Sequence, residues 1–429
     1  MTNSKRIVTN ERQHPGRSAL AALLVLCLSG ALPAPGAWAQ SSGVNIVGDE
    51  DDLESPDVAR AELQKDVLEY QRAIEALEIA DGPFAPGLSE QLLSLGFALQ
   101  RNGDHLGAIK VFKRGVHLSR ITEGLSSPRQ LALLRGEIES HVAAGDLEAA
   151  DERQRYLYRV QEQTLSDRSR GEALMRHALW QRQAYEAGLG EEPQQRLLRM
   201  WSLYRLALTE IMGAEGQNSA ALLPPLYGML QSQYLLSGFV GETTSGRFRN
   251  SYATASQESQ ELTYRGSSFK QGAAIIKAIY DVRLAGPAPG VRDAAEPTVM
   301  LADWQLWHGK REEAFATYGG LERELAADDD AQGLWEEFFA TPRPLPALEG
   351  VRAFPDPAVQ QEGMLLLTYG VTARGKVVDL ERLDENPAID AKANRIMRRL
   401  RQTLFRPRIS DGMPVDTTGL VVAYDVSQW

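Results

Sequence analysis

Residues 88–118, LSEQLLSLGFALQRNGDHLGAIKVFKRGVHL, decide the fold of this chain. Small and apolar residues recur at helical spacing in the first half, at Leu92, Leu95, Gly96 and Leu99. Gly103-Asp104 predicts a turn, and a second helix follows it. In that helix Ala108 is small where two helices must cross closely, and Phe112 fills the space one turn later. The stretch therefore predicts a helical hairpin.

The same pattern returns twice along the chain, which makes an internal repeat the first hypothesis for the fold. One copy begins 42 residues later, with Leu134, Gly145-Asp146 and Ala150. Another copy has Leu301-Ala302, Gly309, Ala314 and Tyr318. In all three copies the alanine follows the turn glycine by five residues. The pattern resembles the tetratricopeptide repeat family with lengthened helices; the alternative is an ordinary all-helical domain.

The resemblance implies an α-solenoid over residues 57–340, which would bury a continuous core and leave a concave face for partners. Further helices are predicted between the copies, at 170–187, 194–212, 220–240 and 267–284. Residues 241–264 are rich in Gly, Ser, Thr and Gln and have no apolar period, which predicts a long loop. Four aromatic residues either line the concave face or belong to the core: Trp180, Trp201, Tyr204 and Tyr227.

The first 39 residues have the pattern of a secretory signal peptide. A basic start precedes the apolar run 19–28, and Ala37-Trp38-Ala39 supplies a small-x-small cleavage pattern. The run is about ten residues long, whereas a membrane-spanning helix needs roughly 20. We therefore expect cleavage after Ala39 and a periplasmic protein of a Gram-negative cell. The alternative is a retained anchor in the inner membrane, facing the periplasm.

The composition of the exported chain excludes several kinds of site and partner. Cys27 is the only cysteine and lies in the predicted leader, so the mature chain would have no disulfide and no thiolate metal site. The net charge is −11, and removing the leader, with four basic residues and one acidic residue, makes it more negative. Such a chain would repel nucleic acid. Residues 40–56 should form a disordered acidic leader.

We find no sequence motif for catalysis, a metal ion or a cofactor. The histidines of the mature chain are scattered without metal-ligand spacing, at His105, His117, His141, His177 and His308. The chain is therefore expected not to be an enzyme.

A proline-rich stretch, 341–357, ends the helical body, and its first part, 341–352, is predicted to be a semi-extended linker. After this stretch the spacing of apolar residues changes from helical to alternating. Four segments follow in the order strand, strand, helix, strand, at 364–372, 376–383, 387–404 and 418–426. This β-β-α-β order predicts a small α+β domain over residues 353–429, with a helix packed on a three-stranded sheet.

Five ordered motifs of this domain resemble the C-terminal domain of the TonB family. They are Phe354-Pro355-Asp356-Pro357-Ala358, Gly363, Gly375-Lys376-Val377, Phe405-Arg406-Pro407 and Gly412-Met413-Pro414-Val415. The resemblance implies docking to an envelope protein, such as an outer-membrane transporter or assembly factor, through a strand edge. The residues it nominates for partner binding are Phe354, Pro355, Phe405, Arg406 and Pro407. Arg395, Arg398 and Arg399, on the basic face of the predicted helix, are added to them.

The chain departs from the TonB pattern in two ways. Its leader has a cleavage pattern, and its proline-rich stretch is much shorter than the rod of a TonB protein. We therefore expect a periplasmic adaptor whose repeat body and TonB-like domain each dock an envelope partner. The alternative is a TonB-type energy transducer that keeps its N-terminal anchor.

Overall fold

A computed structural model describes residues 56–190, 192–246, 255–352, 354 and 364–426. The predicted signal peptide, residues 40–55 of the predicted acidic leader, and Pro355 lie outside this part of the chain. Within it, no helix combines the length and apolar character needed to cross a membrane.

The described chain is mostly helical. Its helices are α1 (Pro56–Asp81), α2 (Leu88–Arg101), α3 (His105–Glu123), α4 (Gln130–Ala143), α5 (Leu147–Thr164), α6 (Asp167–Glu186), α7 (Pro193–Glu215), α8 (Leu223–Gly246), α9 (Ala255–Leu284), α10 (Val291–Trp307), α11 (Arg311–Ala326), α12 (Gln332–Phe339) and α13 (Asp390–Gln402). The strands are β1 (Arg343–Pro344), β2 (Leu365–Val371), β3 (Val377–Arg382), β4 (Phe405–Arg406), β5 (Arg408–Ser410), β6 (Met413–Val415) and β7 (Thr417–Tyr424).

The described chain divides into two compact units after Gly216. The first unit, 56–216, contains α1 to α7, and each of these helices packs against the next. The second unit, 217–426, contains α8 to α13 and the strands. The predicted boundary at 341–352 therefore falls inside the second unit.

The three predicted hairpins are present and share their turn geometry. A glycine with a φ of +77° joins the two helices of each, at Gly103, Gly145 and Gly309; glycine adopts this conformation without steric cost. Asp104 and Asp146 then cap the following helix by accepting a hydrogen bond from a backbone N–H three residues on, at 2.8 and 3.2 Å. Lys310 stands at this place in the third copy and makes no such bond. The crossing alanines Ala108, Ala150 and Ala314 are fully buried.

Phe112 is the centre of the first unit's core. Its ring is fully buried and lies against two glycines, Gly96 in its own hairpin and Gly136 on α4. A β-carbon at either glycine would overlap the ring. The first hairpin and α4 are therefore joined by one aromatic side chain.

The predicted loop 241–264 is wrong at both of its ends. Helix α8 continues to Gly246 and α9 begins at Ala255, so only residues 247–254 lie outside the described helices. The stretch contains no proline. Each helical residue adds one backbone hydrogen bond, so polar residues can extend a helix that packing has already nucleated. The missing apolar period was therefore a poor guide to the backbone.

The proline-rich segment 341–352 is packed rather than free. β1 pairs with β4 in antiparallel register, with Arg343 opposite Arg406 and Pro344 opposite Phe405. Leu345 is fully buried in the same core as Ile409 and the aromatic residues of α12. The segment predicted as a linker is therefore part of the core, because its partner strand lies about 60 residues further along the chain, outside any local pattern.

The C-terminal sheet follows the predicted order. β2 lies at the centre of a three-stranded antiparallel sheet, between β3 and β7. Helix α13 places Ile396 and Leu400 in the core beneath it, together with Leu367 and Tyr369. The predicted hairpin of 364–372 with 376–383 is present. The predicted helix at 387–404 begins with a 3-10 turn, Pro387–Ile389, and continues as α13 from Asp390 to Gln402. β3 and β7 are the outer strands of this sheet.

Candidate functional site

A groove with a volume of about 570 Å³ lies in the first unit. Helices α2 to α6 each supply part of its wall, and its size is typical of ligand sites. We call it the repeat groove. Its polar lining includes Gln100, Arg135, Glu139, Gln154, Arg176 and Gln183. Its apolar lining includes Ile138, Leu157 and Trp180.

Gln154 stands at a position where the other two copies have a core aromatic residue. Phe112 and Tyr318 each follow their turn glycine by nine residues and are fully buried, and Gln154 follows Gly145 by the same nine. Gln154 is 0% exposed, yet within the described residues neither its Nε2 nor its Oε1 has a hydrogen-bond partner. Unpaired buried polar atoms are costly. The second copy thus has an amide on the groove wall with one donor and one acceptor group unused.

Two arginines give the repeat groove a local positive charge. In the part of the chain that the structure describes, Arg135 and Arg176 have no carboxylate oxygen within 4.0 Å. Burial lowers the pKa of the Arg176 guanidinium, and the nearby charge of Arg135 lowers it further. Burial also raises the pKa of Glu139, against the influence of Arg135. A negative charge added to the groove would therefore be stabilised by these two arginines.

Trp180 is held in place from outside the groove. Its Nε1 donates to Asp151 Oδ1 at 2.8 Å, and Arg196 donates to both oxygens of Asp151, each at 2.8 Å. Burial acts to raise the pKa of Asp151, but the bonds from Arg196 and Trp180 bring it below its ordinary value. The indole is therefore fixed by a charged, ionised partner.

The amide of Gln161, another residue of the wall, is fixed in a similar way. Its Oε1 lies 2.6 Å from His177 Nε2. Burial holds the pKa of His177 well below its ordinary value, so the imidazole is neutral and donates this bond. On the opposite wall Gln100 Nε2 donates to Gly136 O and Ser140 Oγ, at 2.9 and 2.8 Å. These bonds make the groove a preformed site.

Most residues nominated from the TonB resemblance are buried. Phe354 and Phe405 belong to the core of the C-terminal sheet, and Pro407 is also buried. Arg406 is 4% exposed and pairs with Asp303, with 3.3 Å between Nε and Oδ1. The side chains of these four residues are therefore used in packing and form no exposed surface, and partner binding by them stays a prediction. The exposed members of the set are Arg395, Arg398 and Arg399 on α13.

The four predicted aromatic residues separate into different roles. Trp180 is buried and also lines the repeat groove, and Tyr204 is a core residue. Trp201 is half-buried, and Tyr227 lines a different cleft, in the second unit. Among the predicted histidines, His105 reaches the groove wall. In the described residues no group of three His, Cys, Asp or Glu side chains is placed to hold a metal ion.

Sequence reasoning missed Gln154, Arg135 and Arg176. The signal for Gln154 was present in the repeat itself, because aligning the copies on their turn glycines places a polar residue opposite Phe112 and Tyr318. The two arginines gave no such signal. They lie on different helices, and their proximity depends on how α4 and α6 pack.

No protein-family model matches the chain, and no curated protein matches its sequence. Two similar solved structures are of a Podosopora anserina protein described as a putative kinesin light chain with nearly identical TPR-like repeats. One, a variant form of that protein, is 14% identical, covers 56% of this chain and 97% of that chain, and has a TM-score of 0.36. The other is 15% identical, covers 55% and 93%, and has a TM-score of 0.33. BtubC (BKLC) from P. vanneervenii is 14% identical, covers 64% and 92%, and has a TM-score of 0.35. Similarity at this level says nothing about what this chain binds.

Proposed function

We propose that this chain is a protein-binding adaptor whose repeat groove holds an extended, acidic segment of a partner protein. The observation that carries the proposal is Gln154, whose buried amide has no hydrogen-bond partner among the residues that the structure describes. An extended peptide presents alternating N–H and C=O groups. Both polar atoms of the Gln154 side chain are closed off from solvent in the unbound chain, so the amide must turn toward the groove as the peptide binds. One residue of the peptide could then satisfy both Oε1 and Nε2 of Gln154 and remove the cost of leaving them unpaired.

The charges of the groove favour a partner segment with acidic side chains. Arg135 and Arg176 have no carboxylate partner in the described part of the chain, and each guanidinium can donate two parallel hydrogen bonds to an Asp or Glu of the partner. Trp180, Leu157 and Ile138 offer an apolar surface to the neighbouring side chains. Because the whole chain is acidic, the local positive charge would also confine acidic segments to this groove.

The test uses short unstructured peptides with acidic, neutral or basic centres, with binding measured by fluorescence anisotropy. Acidic peptides should bind the unaltered protein best. Gln154→Met and Arg176→Gln should each weaken that binding about tenfold, since each removes one or two hydrogen bonds. Arg159→Gln is the matched control, because Arg159 is exposed on α5 outside the groove and loses the same charge. Equal binding by all three variants, or equal binding of basic peptides, would contradict the proposal.

We also infer that the adaptor works in the periplasm and that its C-terminal module is of the TonB type. The leader pattern supports export, and the β-β-α-β order supports the second inference. The outer strands β3 and β7 offer edges to which a partner strand can add. No enzymatic activity is proposed.

Two measurements test these inferences. Mass spectrometry of protein purified from the cell envelope should give a chain that begins at Gln40, whereas an intact N-terminus would favour the anchored energy transducer. Without Cys27 the mature chain has no cysteine, so Val421→Cys, on exposed β7, can be crosslinked selectively in the envelope. Crosslinking to a partner is expected there and not from the control Leu106→Cys on α3. Equal products from both would argue against strand docking.

A further inference from the structure

A second cleft, with a volume of about 520 Å³, lies within the second unit. Helices α8, α9, α10 and α12 and the segment 343–352 form its walls, and Arg406 from β4 completes them. We call it the arginine cleft. The guanidinium groups that line it belong to Arg283, Arg292, Arg343, Arg352 and Arg406.

Two of these arginines are placed directly opposite each other by the backbone. Arg343 on β1 and Arg406 on β4 are register partners in the antiparallel pair. Side chains of opposite residues project from the same face, with Cβ atoms about 5 Å apart, and like charges in this arrangement are destabilising. Both arginines line the cleft. The pairing therefore concentrates positive charge on one wall.

The nearest carboxylate, Asp303, is already occupied. Its Oδ1 lies 3.3 Å from Arg406 Nε and accepts a hydrogen bond from Tyr318 at 2.6 Å. Asp303 and Arg406 are 5% and 4% exposed. Burial raises the pKa of Asp303, although Arg406 and Tyr318 oppose this effect. Asp303 therefore supplies at most one negative charge to a wall that carries two guanidinium groups.

Two further carboxylates that line the cleft, Glu337 and Glu296, are also engaged. Both oxygens of Glu337 accept hydrogen bonds from Arg292, and Glu296 pairs with Arg283 at 3.0 Å. Arg343 donates to the backbone oxygen of Glu337 at 3.3 Å, and within the described chain it has no carboxylate oxygen within 4.0 Å. Arg406 Nε is buried and makes no hydrogen bond in the described chain, despite its ion pair with Asp303. One positive charge and one buried N–H on the wall thus remain uncompensated.

We propose that the arginine cleft binds a small organic carboxylate, with Arg343 as its main anion-binding residue. A single uncompensated guanidinium matches a monoanion, and its planar fork fits the two oxygens of one carboxylate. A phosphate dianion would need a second free cation. The remaining lining, Tyr227, Tyr234 and Phe338, offers aromatic contact to an apolar or aromatic ligand body.

The test compares benzoate, its neutral isostere benzamide, and phenyl phosphate on the full chain, by calorimetry and thermal unfolding. Benzoate should bind and raise the melting temperature, and benzamide should bind much more weakly. Arg343→Gln should weaken benzoate binding about tenfold to a hundredfold, the range for loss of a charged hydrogen bond. Arg343→Lys, which keeps the charge but not the fork, should retain part of the affinity.

Arg395→Gln is the matched control, because Arg395 is exposed on α13 and does not line the cleft. It should bind benzoate like the unaltered chain. Arg343→Gln should fold normally without ligand, since the residue it removes faces a like charge. Four results would overturn the proposal: no benzoate binding at about 10 mM, a concentration at which even a millimolar site would stabilise the fold; equal binding of benzamide; tighter binding of phenyl phosphate; or an unaffected Arg343→Gln variant.

Discussion

The first two hairpins have the same backbone but differ in polarity at three equivalent buried positions. A shift of 42 residues maps α2 onto α4 and the start of α3 onto that of α5, and the turn glycines have the same φ. In the first hairpin the interior positions are apolar, at Leu95, Leu99 and Phe112. In the second hairpin the equivalent positions are polar and equally buried, at Glu137, His141 and Gln154.

Only some of the buried polar atoms of the second hairpin have a hydrogen-bond partner in the described chain. Glu137 is fully buried and accepts a 2.6 Å hydrogen bond from Arg153 Nε, while its second oxygen has no hydrogen-bond partner among the described residues. Burial raises the pKa of Glu137, against the pull of Arg153. Gln154 has no partner in the described chain for its two polar atoms. The second hairpin therefore carries buried polar groups that cost stability, as expected where function needs unpaired groups.

Replacing the central residue of the first hairpin, Phe112, should lower the stability of the protein most. Phe112→Gln puts the second hairpin's residue into the apolar one, leaving a cavity against Gly96 and Gly136 and burying an amide. We expect the free energy of unfolding to fall by about 4 kcal/mol, measured by urea denaturation. The control Leu106→Ala removes an exposed side chain of α3 and should change little. A loss no larger than the control's would mean that the hairpins are not equivalent in packing.

Breaking the ion pair between Arg153 and Glu137 in the second hairpin should cause the second-largest loss of stability. Arg153→Met leaves the Glu137 charge buried with only distant partners, Lys113 Nζ and His141 Nε2, each at 3.9 Å. We expect a loss of about 3 kcal/mol. Adding Glu137→Leu, which copies Leu95 from the first hairpin, should restore most of it. A double-mutant cycle by urea denaturation measures the coupling, and additive losses would exclude a direct interaction.

The repeat comparison also explains which parts of the structure were predictable. The hairpins and the β2–β3 pair followed from local periodicity and turn residues such as Gly103, because these fix helix and strand ends within a few residues. The order of elements in the C-terminal domain also followed from periodicity, whereas nothing in the TonB-like motifs indicated that Phe405 and Arg406 are buried. Motif residues that hold a fold together look the same in sequence as residues that meet a partner.

The two sites depended on distant contacts and were not predicted. Arg343 and Arg406 are 63 residues apart, and only the β1–β4 pairing makes them neighbours. Arg135 and Arg176 meet through helix packing. Residues 241–246 and 255–264 were read as a loop because helix formation there is not marked by an apolar face. Gln154 alone was readable, since the repeat supplies its reference position.

Removing the unsatisfied amide from the second hairpin should stabilise the protein. Gln154→Met keeps a similar length and replaces two unpaired polar atoms with an apolar group. We expect the free energy of unfolding to rise by about 1 kcal/mol, while binding of acidic peptides weakens. Gln183→Met is the control, since Gln183 lines the groove but is only half-buried. If Gln154→Met destabilised the chain, the amide would have a partner in solution that the described residues lack.

The smallest effect should be a pH dependence that only the second hairpin has. Burial lowers the pKa of His141 below its ordinary value of 6.5, and the charge of Lys113 lowers it further, although Asp146 opposes both. As pH falls through about 6.5, the unfolded chain binds a proton at His141 before the folded chain does, so this residue makes folding less favourable. His141→Leu, which copies Leu99, removes that loss.

The stability of His141→Leu relative to the unaltered chain should therefore increase as pH falls from about 7 to 5, a window set by the ordinary histidine pKa. Glu137, whose pKa is raised by burial, acts in the opposite direction, because the folded chain takes up its proton first, but this residue is present in both chains. Urea denaturation at several pH values measures the difference. The control His117→Leu removes an imidazole that is exposed on α3. A stability difference for His141→Leu that stays constant with pH, or matches the control, would mean that the buried imidazole is protonated as readily as in the unfolded chain. The second hairpin would then be polar without being pH-sensitive.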